Sequence, residues 1–263
     1  MDVITADLPR DLDHIEVHVL SDWHIGDLNC KMSEIEAEIE EIRSTRNAYC
    51  ICNGDLINNA TKASVSDMYA ETMTPQEQID TLCEMLDPIK DKILMITRGN
   101  HEQRTQRESG IDLSAVIANM LGCIERYSQD GGMLFVRFGR QSEGHKDYRG
   151  DVRRQSYTMY VTHGTGGGRK EGAKAIRLAD MAAIVDADIY VHSHTHLPMV
   201  MKQAFFRVNL QKRMVDSVEK LFVNSGAKLG YGGYGQAKEF KPNSTASPVI
   251  LLNGTRREIG IRM

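Results

Sequence analysis

The chain has 263 residues, of which 41% are hydrophobic and 26% are charged, and its formal net charge is −4. This length allows a large core, favours a single domain over residues 1–263, and excludes a large second domain. The charge excludes a generally basic nucleic-acid binder. No apolar stretch approaches the roughly 18 residues that a membrane-spanning helix needs, so a membrane protein of that kind is also excluded.

Five cysteines, an odd number, are typical of free thiols in a reducing compartment. Cys50 and Cys52 fall in a predicted strand and Cys83 in a predicted helix, so we expect buried thiols there. Residues 1–7 are acidic and lack a basic and then apolar targeting signal. We therefore expect a cytoplasmic protein.

Apolar and alternating runs predict the elements in chain order. The first five strands are expected at residues 15–20, 48–52, 92–96, 157–161 and 188–191. Helices are expected near residues 32–44, 75–87, 112–122 and 170–184. Thr74-Pro75-Gln76-Glu77 opens the second helix with a capping pattern.

Five further strands are predicted near the C-terminus, at residues 199–207, 211–215, 219–224, 247–252 and 257–262. They would complete a second sheet. The expected fold class is therefore α/β, with two packed mixed β-sheets flanked by helices.

A short polar motif follows each of the first five strands. These motifs are, in order, Asp22-Trp23-His24, Gly54-Asp55, Gly99-Asn100-His101-Glu102, His163-Gly164 and His194-Thr195-His196. Each motif alone arises often by chance, but the ordered set is specific. Because open α/β sheets bind ligands at the carboxyl ends of their strands, these positions should converge although they span about 175 residues.

The ligand types in these motifs indicate a metal site. Imidazoles, carboxylates and one amide, without a thiolate, suit divalent manganese, iron, zinc or nickel. Asp22 and His24 lie two residues apart on an extended segment and would point to the same side. Two ions roughly 3.5–4 Å apart can hold a phosphoryl oxygen and lower the pKa of a shared water for in-line attack. The set predicts a two-metal site that cleaves phosphoesters.

Residues 15 to about 226 resemble the calcineurin-like metallophosphoesterase superfamily, and more closely its compact phosphodiesterase and nuclease branch. The family pattern is Asp-x-His, Gly-Asp, Gly-Asn-His, His and Gly-His-x-His. The resemblance implies a first metal ion bound by Asp22, His24 and His196.

The same resemblance implies a second metal ion bound by Asn100, His163 and His194, with Asp55 bridging the two ions. His101 follows a ligand without being one in the family. It would donate a proton to the leaving oxygen or orient the phosphate, as an imidazole can near pH 7.

Two positions depart from the family pattern. Ser193 replaces the glycine that usually precedes His-x-His, an exchange that costs little if the backbone φ there is negative. Arg98 and the motif after it match the signature of Ser/Thr protein phosphatases. Asn58, however, stands where that branch has an acidic residue, so it cannot give His101 an anionic partner. A protein phosphatase is therefore disfavoured.

Three loops carry candidate substrate contacts. Residues 137–154 hold six basic residues against three acidic ones, and residues 164–170 are Gly-rich before a predicted helix. Both can receive phosphates, or they are a solvated excursion and a flexible turn. Residues 228–238 interleave tyrosines, glycines and lysines that could stack bases or simply pack. The candidate contacts are Arg169, Lys170, Tyr231 and Tyr234 in two of these loops, together with Arg98 and Arg104 on either side of His101.

We therefore expect a hydrolase that needs two divalent metal ions, with manganese preferred and iron, zinc or nickel as alternatives. The expected substrate is a phosphodiester in DNA or a nucleotide. The alternative is a phosphomonoesterase. A third hypothesis, a binding scaffold without turnover, is disfavoured because the full ligand set is present.

Overall fold

The structure, a computed structural model, describes residues 1–62, 64, 68–141, 152–166, 168, 170–237 and 239–263. Its strands are β1 (Asp2–Asp7), β2 (His14–Leu20), β3 (Ala48–Asn53), β4 (Ile93–Thr97), β5 (Tyr127–Ser128), β6 (Gly132–Phe138), β7 (Gln155–Val161), β8 (Ile189–His192), β9 (Met199–Asn209), β10 (Met214–Asn224), β11 (Val249–Asn253) and β12 (Ile259–Arg262). Its α-helices are α1 (Met32–Ser44), α2 (Pro75–Leu86), α3 (Glu102–Ser109), α4 (Leu113–Met120), α5 (Glu171–Asp180) and α6 (Gly233–Ala237).

The strands form two six-stranded sheets. Sheet I has the order β12-β11-β2-β3-β4-β5, and sheet II has the order β1-β6-β7-β8-β10-β9. In sheet I, β2, β3 and β4 are parallel, and in sheet II, β7, β8 and β10 are parallel. The antiparallel pairs in both sheets make each of them mixed. The predicted fold class is confirmed.

The central core lies between the two sheets and joins side chains from both. It includes Val17, Val19 and Ile51 of sheet I, together with Met159 and Val191 of sheet II, all fully buried. The opposite face of sheet I packs against α1, α2 and α4 in a second core. In sheet I, the motif-bearing strands β3 and β4 are therefore buried on both sides, which explains their continuous apolar runs.

The capping pattern before α2 is confirmed. The Thr74 side chain accepts a hydrogen bond from the backbone N–H of Glu77, whose carboxylate accepts one from the Thr74 N–H. Cys50 and Cys52 lie in the core, as predicted, whereas Cys83 on α2 is only partly buried. Within the described parts of the chain, no helix combines the length and apolarity needed to cross a membrane.

The C-terminal strands differ from the prediction in two ways. The segments predicted at 211–215 and 219–224 form one continuous strand, β10, which pairs with β9 along its whole length. The last strands also do not complete one sheet, because β9 and β10 join sheet II whereas β11 and β12 join sheet I. The chain therefore crosses from sheet II to sheet I between β10 and β11, and β11 pairs antiparallel with β2.

Five of the described strands and α-helices lack a sequence prediction, namely β1, β5, β6, α3 and α6. The α3 sequence, EQRTQRES, has no apolar periodicity, because this helix buries only its first residue, Glu102. The predicted helix at 170–184 ends earlier, at Asp180, and continues as a short 3-10 turn over Met181–Ala183.

Candidate metal centre

The five motifs meet at one place. They follow β2, β3, β4, β7 and β8, whose carboxyl ends face the same edge of the two packed sheets. Asp22, Asp55 and His163 are each less than 5% exposed there. The convergence predicted from strand topology is therefore present.

Much of this site has an unusual backbone. Among the described residues, eight that are not glycine have positive φ, and five of these eight are candidate ligands. The five are Asp22, His24, Asp55, His194 and His196. A left-handed backbone costs free energy for residues with a Cβ atom, and such residues persist where the surroundings hold them in place. Their concentration at one edge marks a site under functional constraint.

The first ligand group joins Asp22, His24 and His196, whose donor atoms all lie within 4.8 Å of one another. His196 Nε2 lies 3.2 Å from both Asp22 Oδ1 and His24 Nε2. Asp22 Oδ2 accepts hydrogen bonds from Ser21 Oγ at 2.8 Å and from the His194 N–H at 3.1 Å. Asp22 Oδ1 is buried and has no hydrogen bond of good geometry among the described residues. That oxygen is available to a cation.

The second group joins Asp55, His163 and His194, with Asn100 beside them. His163 Nε2 lies 3.2 Å from Asp55 Oδ2 and 3.2 Å from Asn100 Oδ1. His163 Nδ1 lies 2.7 Å from the Asn53 carbonyl oxygen, so it carries the proton and leaves Nε2 facing the group. His194 Nδ1 is buried without a hydrogen-bond partner in the described structure.

The protonation states suit metal ligation. Burial lowers the pKa of His24 well below its usual value, and burial with nearby His163 lowers the pKa of His194 to about 4. Burial raises the pKa of Asp22, but the His196 imidazole outweighs this and lowers it to about 2. Metal ligands must be deprotonated, and these three groups already are near neutral pH.

Asp55 and His163 form a tightly coupled pair. Burial acts against both charges, yet the neighbouring imidazoles lower the pKa of Asp55 and the Asp55 carboxylate raises that of His163 to about 10. An ion bound here would displace the proton at His163 Nε2, the nitrogen that faces Asp55. The nitrogen and oxygen donors, the absence of a thiolate and the unpartnered atoms of Asp22 and His194 fit divalent metal ions.

Glu102 holds the loops of this site together, a role that the sequence patterns did not reveal. Its carboxylate is 1% exposed and accepts hydrogen bonds from the backbone N–H groups of Asp55, Leu56, Ile57 and Gly99 at 2.8–3.3 Å. Burial and the Asp55 charge raise the pKa of Glu102 to about 7. The one available signal was its place directly after Gly99-Asn100-His101.

His101 lies beside the second group. Its backbone N–H donates to Asp55 Oδ1 at 2.8 Å, and its ring Nδ1 lies 2.7 Å from the Asn58 carbonyl oxygen. Its Nε2 lies 2.9 Å from an Arg104 guanidinium nitrogen. Asn58 therefore supplies a backbone carbonyl where the phosphatase branch has a carboxylate. The ring is also close enough to His24 and Asp55 to form a further possible ligand group.

Ser193 has a φ outside the left-handed region, so replacing the family glycine adds no strain there. Its hydroxyl also forms hydrogen bonds with Asn53 Nδ2 at 2.7 Å and Ser225 Oγ at 2.8 Å. The serine hydroxyl thus connects Asn53 at the end of β3 in sheet I with the loop after β8 in sheet II, close to the candidate ligands.

A cleft of about 450 Å³ opens from the ligand groups. Arg104 and Lys174 line it, as do the aromatic rings of Tyr231 and Phe240. An ion pair between Lys241 and Glu171, 2.6 Å long, joins two segments of its wall. The cleft offers cations and aromatic faces near the candidate metal centre.

Of the predicted substrate contacts, Arg104 and Tyr231 line this cleft. Lys170 is exposed but does not line it, and the helix that Lys170 precedes contributes Lys174 to the wall. The Lys174 ammonium donates to the Thr195 carbonyl at 2.7 Å, and burial lowers its pKa. Arg169 and the Tyr234 side chain lie outside the described structure.

Arg98, also predicted to contact substrate, does not line the cleft. Its side chain is 5% exposed, lies outside the cleft, and pairs with Asp130 at 3.0 Å and Asp112 at 3.6 Å. It also donates to Gln106 of α3. Because the Arg98 guanidinium pairs with Asp112 and Asp130, it does not point toward the candidate metal ligands. It instead holds the β4–α3 connection against neighbouring loops.

For the two other basic segments, where the sequence allows either phosphate contacts or solvated and packed residues, three of the described cations have carboxylate partners. Arg137 and Arg154 both pair with Asp7, which compensates their charge. Residues 142–151 of the same segment lie outside the described structure. Lys228 is 7% exposed and pairs with Glu38 at 3.3 Å, so it faces the interior and not the cleft.

A comparison with curated proteins finds no significant match. Among solved structures, Vacuolar Protein Sorting 29 from Cryptosporidium parvum is 14% identical with a TM-score of 0.41, covering 95% of this chain and 97% of that one. A metallophosphoesterase from Sphaerobacter thermophilus is 10% identical with a TM-score of 0.39, covering 93% and 90%. The Pseudomonas putida nuclease MPE is 12% identical with a TM-score of 0.36, covering 94% and 87%.

At these identities and TM-scores, the three structures identify neither a substrate nor a metal for this chain. The family model described as calcineurin-like phosphoesterase matches residues 16–198, which include more than half of the chain and all five motifs. The chain therefore belongs to the calcineurin-like phosphoesterase family.

Proposed function

We propose that this protein is a phosphodiesterase that uses two divalent metal ions, preferably manganese, to hydrolyse nucleic acid or nucleotides. The observation that carries the proposal is the pair of ligand groups around Asp22 and Asp55. A carboxylate oxygen of Asp55 lies within 4.8 Å of ring nitrogens of His163 and His194, and Asp55 also lies within 4.8 Å of a ring nitrogen of His24, which belongs to the first group. A carboxylate that lies near both groups is what a shared ligand of two ions requires.

In this proposal Asp22, His24 and His196 hold one ion. The other is held by Asn100, His163 and His194, and Asp55 is shared. Two bound ions would neutralise phosphoryl oxygens and make hydroxide available near neutral pH. Iron, zinc or nickel would also suit these ligands.

The surrounding residues have separate roles. Glu102 fixes the loop of Asp55 and the loop of Asn100 relative to each other through its hydrogen bonds to the backbone of both. Arg104 presents a guanidinium on the cleft wall for a phosphate oxygen. His101 lies at the boundary between ligands and cleft, where a proton at Nε2 would reach a leaving oxygen.

The cleft favours a diester over a small monoester. Besides the ligands, it is lined by Arg104 and by Tyr231, whose side chain is 53% exposed. A monoester would need only the ligands and one cation, whereas the flanking groups of a diester would occupy this additional surface. Stacking of a base on Tyr231 would add binding energy without requiring a particular sequence.

A turnover panel tests this function. Manganese-loaded protein would be assayed on a chromogenic phosphodiester, a phosphomonoester, single-stranded DNA and double-stranded DNA. We expect diester cleavage to exceed monoester cleavage. Faster monoester turnover would favour a phosphomonoesterase, and metal binding without any turnover would favour the scaffold.

We also propose that residues 1–263 act as one catalytic domain in the cytoplasm. The two sheets share one buried core, and the ligand groups draw residues from both sheets. The five cysteines are unpaired, as a reducing compartment would keep them. Limited proteolysis and fractionation of the source cells would test these two statements.

A further inference from the structure

A further group of potential metal ligands lies outside the cleft. Glu16 and His18 are two residues apart on β2, so they share one face of sheet I, and Glu41 comes from α1 above that face. One ligand atom from each residue lies within 4.8 Å of the other two. None of the three lines the cleft around Asp22 and Asp55.

His18 is the unusual member of this group. It is 1% exposed, and neither ring nitrogen has a hydrogen-bond partner within the described structure. A neutral imidazole still carries one N–H and one lone pair, and a buried polar group without a partner destabilises a fold. The imidazole nevertheless faces carboxylates on both sides, with Nε2 3.9 Å from Glu16 and Nδ1 4.0 Å from Glu38.

This arrangement resembles the surroundings of a metal-binding histidine, with a carboxylate about 4 Å from each ring nitrogen. In such sites one ring nitrogen binds the ion and the other donates its proton to a carboxylate that orients the ring. Here Nε2 faces Glu16, and Nδ1 faces Glu38, which is 9% exposed. The buried Lys228 ammonium lies 3.3 Å from the other Glu38 oxygen and keeps that carboxylate in place.

The local charges also favour a dication. Three carboxylates, from Glu16, Glu38 and Glu41, surround His18, and Lys228 supplies one buried positive charge. Arg262 supplies another from the protein surface, 2.8 Å from both Glu16 and Glu41. Because Arg262 is 46% exposed, its side chain can withdraw into solvent. Two net negative charges would then remain for an incoming ion.

We propose that Glu16, His18 and Glu41 form a separate site for a divalent ion of the zinc class, with Glu38 orienting the imidazole. Carboxylate oxygen and imidazole nitrogen both bind zinc at roughly 2.0–2.2 Å. Ligand atoms now up to 4.8 Å apart would contract by roughly 1 Å. The partly exposed Glu41 side chain on α1 permits this movement, and the bound ion would clamp α1 onto sheet I.

The test counts zinc ions per chain in tag-free full-length protein. After equilibration with excess zinc and gel filtration, elemental analysis compares wild type with Glu41→Gln and with the control Glu40→Gln. Glu40 lies next to Glu41 on α1, is 55% exposed and pairs with Arg43, outside the group. We expect Glu41→Gln to hold one zinc fewer than wild type and Glu40→Gln. Because the readout is a difference, it does not depend on how many ions the cleft binds.

Two further variants sharpen the test. His18→Gln should lose the same zinc, and if that buried variant does not fold, Glu41→Gln decides alone. Arg262→Gln removes the competing guanidinium and should tighten zinc binding at this site several-fold. Equal zinc content in Glu41→Gln and Glu40→Gln would overturn the proposal, as would weaker zinc binding in Arg262→Gln.

Discussion

The two ring nitrogens of His101 have different neighbours, and this bears on its chemistry. Nδ1 lies 2.7 Å from the Asn58 carbonyl, whereas Nε2 lies 2.9 Å from the Arg104 guanidinium. Burial lowers the pKa of His101, the Asp55 charge opposes this, and Arg104 lowers it further. A phosphate oxygen that engaged Arg104 would release Nε2 and make its protonation easier.

We predict that His101→Gln slows turnover by on the order of 10²–10⁴, the usual contribution of a positioned acid or base. Metal content and substrate affinity should stay close to wild type. The loss should be smaller for a nitrophenolate leaving group, which needs no proton. His14→Gln, an exposed histidine on β2, is the control. A lost metal, or equal slowing for good and poor leaving groups, would disprove the general-acid role.

Glu102 provides a second prediction at this scale. Glu102→Gln replaces one acceptor oxygen by an amide that cannot accept, and it costs about 1–3 kcal/mol for each backbone N–H left without an acceptor. We expect a lower unfolding temperature and weaker manganese binding, because Asp55 and Gly99 lose their common anchor. Glu108→Gln on the exposed side of α3 should change neither property. Unchanged metal affinity in Glu102→Gln would show that the loops hold their positions without it.

At the scale of elements, the cleft is built from segments that follow different strands. The residues after β10 form the wall that carries Tyr231, and the start of α5 forms the wall that carries Glu171 and Lys174. The ion pair between Glu171 and Lys241 joins these walls, although both side chains are more than half exposed. Exposed pairs contribute little stability, so the walls can separate for a substrate.

Tyr231→Ala tests whether the segment after β10 binds bases. We expect single-strand binding to weaken by on the order of 1–3 kcal/mol, the contribution of one stacked base. Cleavage of a small chromogenic diester should not change. Phe206→Ala removes an aromatic ring that is 84% exposed on β9 and does not line the cleft, so it should affect neither substrate. Equal losses on both substrates would instead mean that Tyr231 supports the fold or the metal centre.

At the scale of the molecule, the proposed metals join loops from both sheets. Asp22 and Asp55 follow strands of sheet I, whereas His163, His194 and His196 follow strands of sheet II. Ions bound between them would therefore resist separation of the sheets. A ligand present at 100 times its Kd stabilises the folded state by about 2.7 kcal/mol per site.

We predict two manganese ions per chain and a raised unfolding temperature on manganese loading. Asp55→Ala should abolish both effects, because it removes the shared ligand. Asp13→Ala, which removes an exposed carboxylate before β2, should bind and respond as wild type does. One ion or none in wild type reconstituted with excess manganese would contradict the two-metal proposal.

The sequence by itself determined the fold class and the order of the motifs. Short continuous apolar runs are typical of strands in a sheet that is covered on both faces. The motif after each run then falls at the carboxyl end of a strand. That reasoning placed Asp22, Asp55 and His163 together without any coordinates. It also identified the capped start of α2, since a capping box depends on residues only three positions apart.

The tertiary structure alone decided what depends on contacts between distant residues. α3 has no apolar pattern of its own, because the buried Glu102 ties it to the loop after β3. Lys228 and Arg98 resemble surface cations in the sequence, yet carboxylates distant along the chain hold both away from the cleft. The periodicity of apolar residues along an element indicates which of its faces is buried. The ion-pair partner of a charged side chain, in contrast, depends on which elements pack against each other in the folded protein.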